Sequence, residues 1–352
     1  MLILVGPVVG DEHQLAGHPE RPSRVAAAAA GIADLDLGDE VRTVVPDEAG
    51  TEALLRVHSA TYLAELESVS SVGGGGLDAD TYVTADSWRA ARLAAGAALA
   101  AVDALEEAGT GVAFVAARPP GHHAAGGQGM GFCLLNNIAV AAGSLVARGE
   151  RVLIVDWDVH HGNGTQSIFW NEPSVLYVST HQWPLYPGTG RPHEVGGLEA
   201  PGATLNLPLP AGATGDVLEY ALDELVTPVV EEFAPTWVLV SAGYDAHRAD
   251  PLGDLGLSSG DFAALAARAA AFAPRPGRLA FLLEGGYDLG ALRASVAATV
   301  GALTGADHVP ELPTVGGPGA TEARQAMEEY REFTARVSEL AVGGSAGGGA
   351  VR

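Results

Sequence analysis

Between residues 151 and 164 the chain reads RVLIVDWDVHHGNG, so Asp156, Asp158, His160, His161 and Asn163 follow directly on an apolar run. A carboxylate two residues from an imidazole offers an oxygen and a nitrogen donor to a borderline ion such as Zn²⁺, at about 2.0–2.2 Å. Side chains at i, i+2 and i+4 of a strand point one way. Extended geometry carried through this stretch would therefore set Asp156, Asp158 and His160 on one face. A plain capped turn has no use for two aspartates and two histidines placed so closely.

Polar text of the same kind closes four other apolar runs: RPPGHH with GMGFC, STH with YPGTG, SAGYDAH, and EGGYD. By residue type, Asp158, His160 and Asp245 make an oxygen, nitrogen, oxygen donor set that leaves a coordination position for water, as catalytic zinc requires. Water at such an ion is acidified toward neutral pH. His122 and His123 are then free for general base and general acid work. Each needs an acceptor on its far ring nitrogen, and Asp156 and Asn163 lie in the right loop to supply one. Tyr287, after Gly285-Gly286, offers a phenol donor to a developing oxyanion. Taken singly the residues say less. Asp245 alone reads as a helix cap, and Tyr287 as a core residue. His13, His18, His58, His193 and His308 read as structural or surface, and Cys133 as a small buried apolar residue.

The elements that must position these groups alternate. Strands are predicted over residues 2–5, 41–45, 112–116, 152–155, 175–178, 204–207, 237–241 and 279–283. Helices are predicted over 23–33, 59–69, 87–107, 137–147, 216–232, 261–272 and 289–303. Such alternation calls for a parallel sheet covered by helices on both faces, and the carboxyl ends of parallel strands are where ligands bind. The glycine run at 73–76 lacks the Lys-Ser/Thr ending of a phosphate loop and reads as a flexible loop. We expect one domain over 1–315, a C-terminal helix over 316–341, and a disordered Gly-rich tail over 342–352.

Composition narrows the class. The chain has 352 residues, 47% hydrophobic and 18% charged, which suits a folded globular protein. No apolar run approaches the ~20 residues of a membrane span. A single cysteine forbids an intrachain disulfide, and the start carries no secretory pattern, so a cytoplasmic location is the default. The formal charge of −24 argues against direct nucleic-acid binding, which needs clustered Lys and Arg. It would attract cationic substrates, although solubility or a high-salt host is the plainer account. A homo-oligomer stays open.

Together HPERPSR, RPPGHHA, GMGFCLLNN, VDWDVHHGNGTQ, YPGTG, SAGYDAHRADPLG and EGGYD resemble the histone deacetylase superfamily, in particular its class II-like bacterial members, including acetylpolyamine amidohydrolases. The resemblance runs from His18 to about residue 305. It implies the α/β three-layer arginase/deacetylase fold on a mainly parallel eight-stranded sheet, with one Zn²⁺ held by Asp158, His160 and Asp245. It also implies His122 and His123 flanking the water, Asp156 behind His122, and a structural K⁺ near Asp156, Asp158 and Ser179. Phe132 and Tyr186 would wall a tunnel for an acyl-lysine-like chain, with Leu252 at the rim. The Gly131 carbonyl would accept the substrate amide N–H, and Asp80 would hold the substrate backbone. Two residues depart from commoner family patterns: Asn163 stands where class I members carry Asp, and Tyr186 where Phe is usual. The function implied is a zinc-dependent deacetylase acting on an N-acyl-lysine or related acylated amine. The alternatives are an acetylpolyamine amidohydrolase, a ureohydrolase-like two-metal enzyme and a non-catalytic acyl-lysine binder.

Overall fold

The computed structural model describes residues 1–308 and 310–346. Eight strands form its main sheet: β1 (Leu2–Val8), β2 (Val41–Val44), β5 (Val112–Ala117), β6 (Val152–Asp156), β7 (Val175–Gln182), β8 (Thr204–Leu209), β9 (Trp237–Ala242) and β10 (Leu279–Leu283). Between the first two and the rest comes a small hairpin of β3 (Gly74–Gly76) and β4 (Tyr82–Thr84). The order across the main sheet is β2-β1-β5-β10-β9-β6-β7-β8, and every registered pair in it is parallel.

Near-continuous apolar strands form here because helices cover both faces. Leu153 and Val155 enter one core with Leu265 and Leu292, from the helices Ser259–Phe272 and Leu289–Thr304. Val152 and Ile154 enter the other with Ala94 and Ile138, from Ser87–Ala108 and Asn137–Val146. This is the three-layer arginase/deacetylase architecture. Helix starts are fixed locally: Asn136 Oδ1 accepts from the Ala139 N–H at 3.0 Å, and Asp288 Oδ1 from the Ala291 N–H at 2.8 Å. The five strands that end in polar text, β5, β10, β9, β6 and β7, are consecutive across the sheet, so their carboxyl-end loops adjoin.

Four expectations give way. Extended geometry stops at Asp156, so the 156–160 segment turns rather than presenting one face. The glycines at 74–76 pair as a strand: Gly74 has φ +105°, and a Cβ there would lie 2.1 Å from the Val83 carbonyl oxygen. Only a glycine permits that approach, and the hairpin delivers residues 77–81. The helix expected over 216–232 is broken into Gly215–Tyr220, a π-turn Ala221–Val226, and Thr227–Phe233. Pro228 has no N–H to give, and the Thr227 hydroxyl donates to the Leu222 carbonyl at 2.9 Å. The disordered tail expected from 342 is helical through Ala346, in the helix Ala320–Ala346. A glycine costs a helix only about 1 kcal/mol relative to Ala, too little to end one already templated by six turns. Residues 347–352 lie outside the described residues. Among the described residues no helix is long and apolar enough to cross a membrane.

Candidate active site

Past Asp156 the chain bends, and side chains bind their own backbone. Asp156 Oδ1 accepts the Asp158 N–H at 3.2 Å, and Asp158 Oδ1 accepts the His160 N–H at 2.9 Å. These turns aim Asp158 and His160 at Asp245, in the loop after β9. The donor atoms of Asp158, His160 and Asp245 all lie within 4.8 Å of one another. His160 Nδ1 is 3.0 Å from Asp158 Oδ1 and 3.3 Å from Asp245 Oδ2. Asp245 Oδ1 accepts the Val159 N–H at 2.9 Å, whereas Oδ2 is buried without a well-formed hydrogen bond among the described residues. Gly285 leaves space beside it, since a Cβ there would sit 1.9 Å from that oxygen.

Burial and the Asp158 charge push the Asp245 carboxyl up to about 7. Burial opposes the imidazolium of His160, yet the two carboxylates outweigh it and hold the ring at about 10. Two converging buried carboxylates need a positive charge between them. A divalent cation satisfies that need with the donor set present: two carboxylate oxygens and one ring nitrogen.

His122 and His123 stand side by side in the loop after β5, ring centroids 4.1 Å apart. His122 Nδ1 lies 3.1 Å from Asp156 Oδ2, which also accepts the Tyr177 hydroxyl at 3.0 Å. His123 Nδ1 lies 2.8 Å from Asn163 Oδ1. The partners split the pair electrically. Burial would lower His122, but Asp158 and Asp156 overcome it and raise it to about 10. His123 is held well below the ordinary histidine value by burial, then by the charges of His122 and His160. One ring is thus cationic at neutral pH and its neighbour is a free base.

The loop after β10 is tied down residue by residue. The Gly285 N–H donates to Asp158 Oδ2 at 2.8 Å, and the Tyr287 N–H to Asp250 Oδ2 at 2.6 Å. Arg24 Nε donates to the Gly286 carbonyl at 2.6 Å, and its guanidinium lies 4.7 Å from the centre of the Tyr287 ring. Arg24 is itself held by Glu20, which also takes Arg118, all three side chains being fully buried. Burial keeps the Tyr287 phenol well above its ordinary pKa, so it is a donor at neutral pH.

His122, His123, His160 and Tyr287 open onto one cavity of about 250 Å³, walled by Gly131, Phe132, Tyr186, Leu252 and Asp80 and also by Pro120, Cys133, Leu185 and Gly285. Its mouth is stiffened by contacts with the hairpin: the Phe132 N–H donates to the Thr81 hydroxyl at 3.0 Å, and His18 Nε2 lies 3.1 Å from the Asp80 carbonyl. Ser179 sits beside Asp156 in strand register, where its hydroxyl meets His181 Nδ1 at 2.9 Å.

Residues 18–303 match the sequence profile of the Histone deacetylase domain. The chain belongs to the histone deacetylase family. It is 42% identical to a probable deacetylase of Archaeoglobus fulgidus over 84% of this chain and 86% of that one. It is 40% identical to a histone deacetylase-like amidohydrolase of Pseudomonas aeruginosa over 78% and 73%. The solved HDA15 HD domain superposes with a TM-score of 0.86 at 33% identity, covering 97% of this chain and 99% of that domain. A deacetylase or amidohydrolase activity on acylated substrates goes with this family.

In this histone deacetylase domain several residues at the site went without a role in the sequence reading. Glu20 and Arg24 stand inside HPERPSR and Arg118 inside RPPGHHA, but only their buried ion pairs assign them work. Asp250 and Glu284 stand inside SAGYDAHRADPLG and EGGYD, so the text held them, but only their hydrogen bonds assign them work. His18, read as structural or surface, packs edge-on against Phe132 with ring centroids 4.6 Å apart.

Proposed function

We propose that this chain is a zinc-dependent deacetylase that hydrolyses the amide of an N-acyl-lysine or a related acylated amine. The observation that carries the reading is the convergence of Asp158, His160 and Asp245 donor atoms where His160 meets a cavity that is also lined by an imidazole pair and a phenol. Asp158, His160 and Asp245 would hold the ion, and a structural K⁺ would sit near Asp156, Asp158 and Ser179. Zinc, when bound, supplies a Lewis acid to the substrate carbonyl and to water.

The chain's own groups do the rest. His123, neutral at its Nε2, takes the proton of the attacking water, with Asn163 fixing its Nδ1. Tyr287 donates its phenol hydrogen bond to the carbonyl oxygen as that oxygen gains charge. The amine leaves with a proton from the imidazole pair, where Asp156 keeps His122 cationic. Phe132 and Tyr186 enclose the acyl-bearing chain and exclude water, Gly131 accepts the amide N–H, and Asp80 takes a backbone donor at the mouth. Leu252 gives the rim an apolar edge.

Acetylpolyamine hydrolysis is the second reading. The charge of −24 favours it, as do Asp80 on the cavity wall and Asp78, whose Oδ1 accepts the Asp80 N–H at 3.1 Å. The apolar Leu252 speaks against it. The test is kcat/KM for acetyl-lysine peptides and acetylputrescine with zinc-loaded protein. Faster turnover of the peptides supports the first reading, faster acetylputrescine turnover the second. No hydrolysis of any acylated amine in a wider panel would refute both.

A further inference from the structure

Glu284 directly follows β10 as the first residue of the loop that carries the proposed oxyanion donor, with its side chain fully buried toward the loop that carries the proposed acid–base pair. β10 is the sheet neighbour of β5, so the loops leave the sheet side by side. One carboxylate oxygen, Oε2, accepts two main-chain donors from the imidazole loop: the Gly121 N–H at 2.6 Å and the His122 N–H at 3.1 Å. The other oxygen has no hydrogen-bond partner among the described residues. On its own side Glu284 is rigid. Its N–H donates to the Ala242 carbonyl at 3.1 Å, its carbonyl accepts from Arg24, and the next residue is bonded to Asp158.

We propose that Glu284 is a positioning residue: by reach, its side chain sets the separation between the His122–His123 backbone and the Tyr287 loop. This rests on the deacetylase reading above. The imidazole loop is held from its opposite side through carbonyls, as in the Thr165 N–H to His122 carbonyl bond at 3.1 Å. The Glu284 carboxylate supplies the matching hold on the amides. A buried N–H is almost always paired, and here the partner comes from the start of the loop that carries the phenol. His122 and Tyr287 lie 165 residues apart in sequence, yet one side chain spans their loops.

Two substitutions separate reach from charge. Glu284→Gln keeps the length and a carbonyl acceptor but loses the charge. Glu284→Asp keeps the charge but withdraws it by one carbon–carbon bond, about 1.5 Å. A displacement of that size at reacting groups costs about 10- to 100-fold in turnover. We expect Glu284→Gln to keep kcat within about threefold and Glu284→Asp to lose about 10- to 100-fold, with KM unchanged in both. Amide hydrogen exchange over residues 117–124, followed in the same proteins, should speed up in Glu284→Asp and stay slow in Glu284→Gln. Wild-type behaviour in both variants, equal loss in both, or loss in Glu284→Gln alone would each overturn the assignment. If the wild type hydrolyses no acylated amine, the deacetylase reading falls instead, and the exchange measurement still decides the clamp.

Discussion

Asn163 Oδ1 lies 2.8 Å from Nδ1 of His123, an amide in the place where the adjacent His122 has the Asp156 carboxylate. The amide orients the ring without paying it in charge. His123, depressed by burial and by the cationic His122, is therefore deprotonated across the neutral range.

Replacing Asn163 by Asp tests that relationship through pH. A carboxylate favours the imidazolium, so the His123 pKa rises and more alkaline solution is needed to free the base. The acid limb of kcat/KM, which reports the free enzyme, should move up by about one pH unit. A limb that stays put would mean His123 is not the group titrating.

Tyr287→Phe should lower kcat by about 10²–10³, the usual cost of losing one oxyanion donor. The fold should survive, since the Tyr287 main chain is held by Asp250 and its ring by Arg24 and Phe132. Thermal unfolding close to wild type, beside that loss in steady-state turnover, is the expected pair of results.

Chelation should abolish hydrolysis and lower the melting temperature together. Zinc held by the proposed native triad, and not by the dispersed ligands of the unfolded chain, would stabilise by mass action. Asp245→Asn should lose bound zinc in elemental analysis. It should also show a smaller zinc-dependent rise in Tm, because one of the two carboxylates of the proposed donor set is gone.

Glu20→Gln should cost about 3–5 kcal/mol in denaturant unfolding, because Arg24 and Arg118 are left buried without their counter-charge. Burial pushes the Glu20 carboxyl up, but Arg118 and Arg24 more than reverse this and hold it below its ordinary value. Its contribution is therefore present above the ordinary glutamate pKa near 4.5 and is lost as pH falls below it. The wild type should lose stability in acid more steeply than Glu20→Gln.

Much of this protein is written locally. Apolar runs bounded by Asn, Asp and Gly mark the strands of the main sheet and most of the helices, because burial on two faces and capping are properties of short segments. The family and the chemical types at the site are equally local, since Asp158, His160, the His pair and Tyr287 sit in short dense motifs. Tertiary structure decided what depends on distant backbone. It chose the order β5-β10-β9-β6-β7, which makes neighbours of five loops scattered from residue 118 to 288. It paired Gly74–Gly76 with Tyr82–Thr84, where close approach rather than flexibility explains the glycines. It also gave Arg24 its place beside Tyr287, and Glu284 its grip on two amides 163 and 162 residues away. Spacing along a chain reports which side chains share a face; only the packed sheet fixes which carboxylate answers which distant N–H.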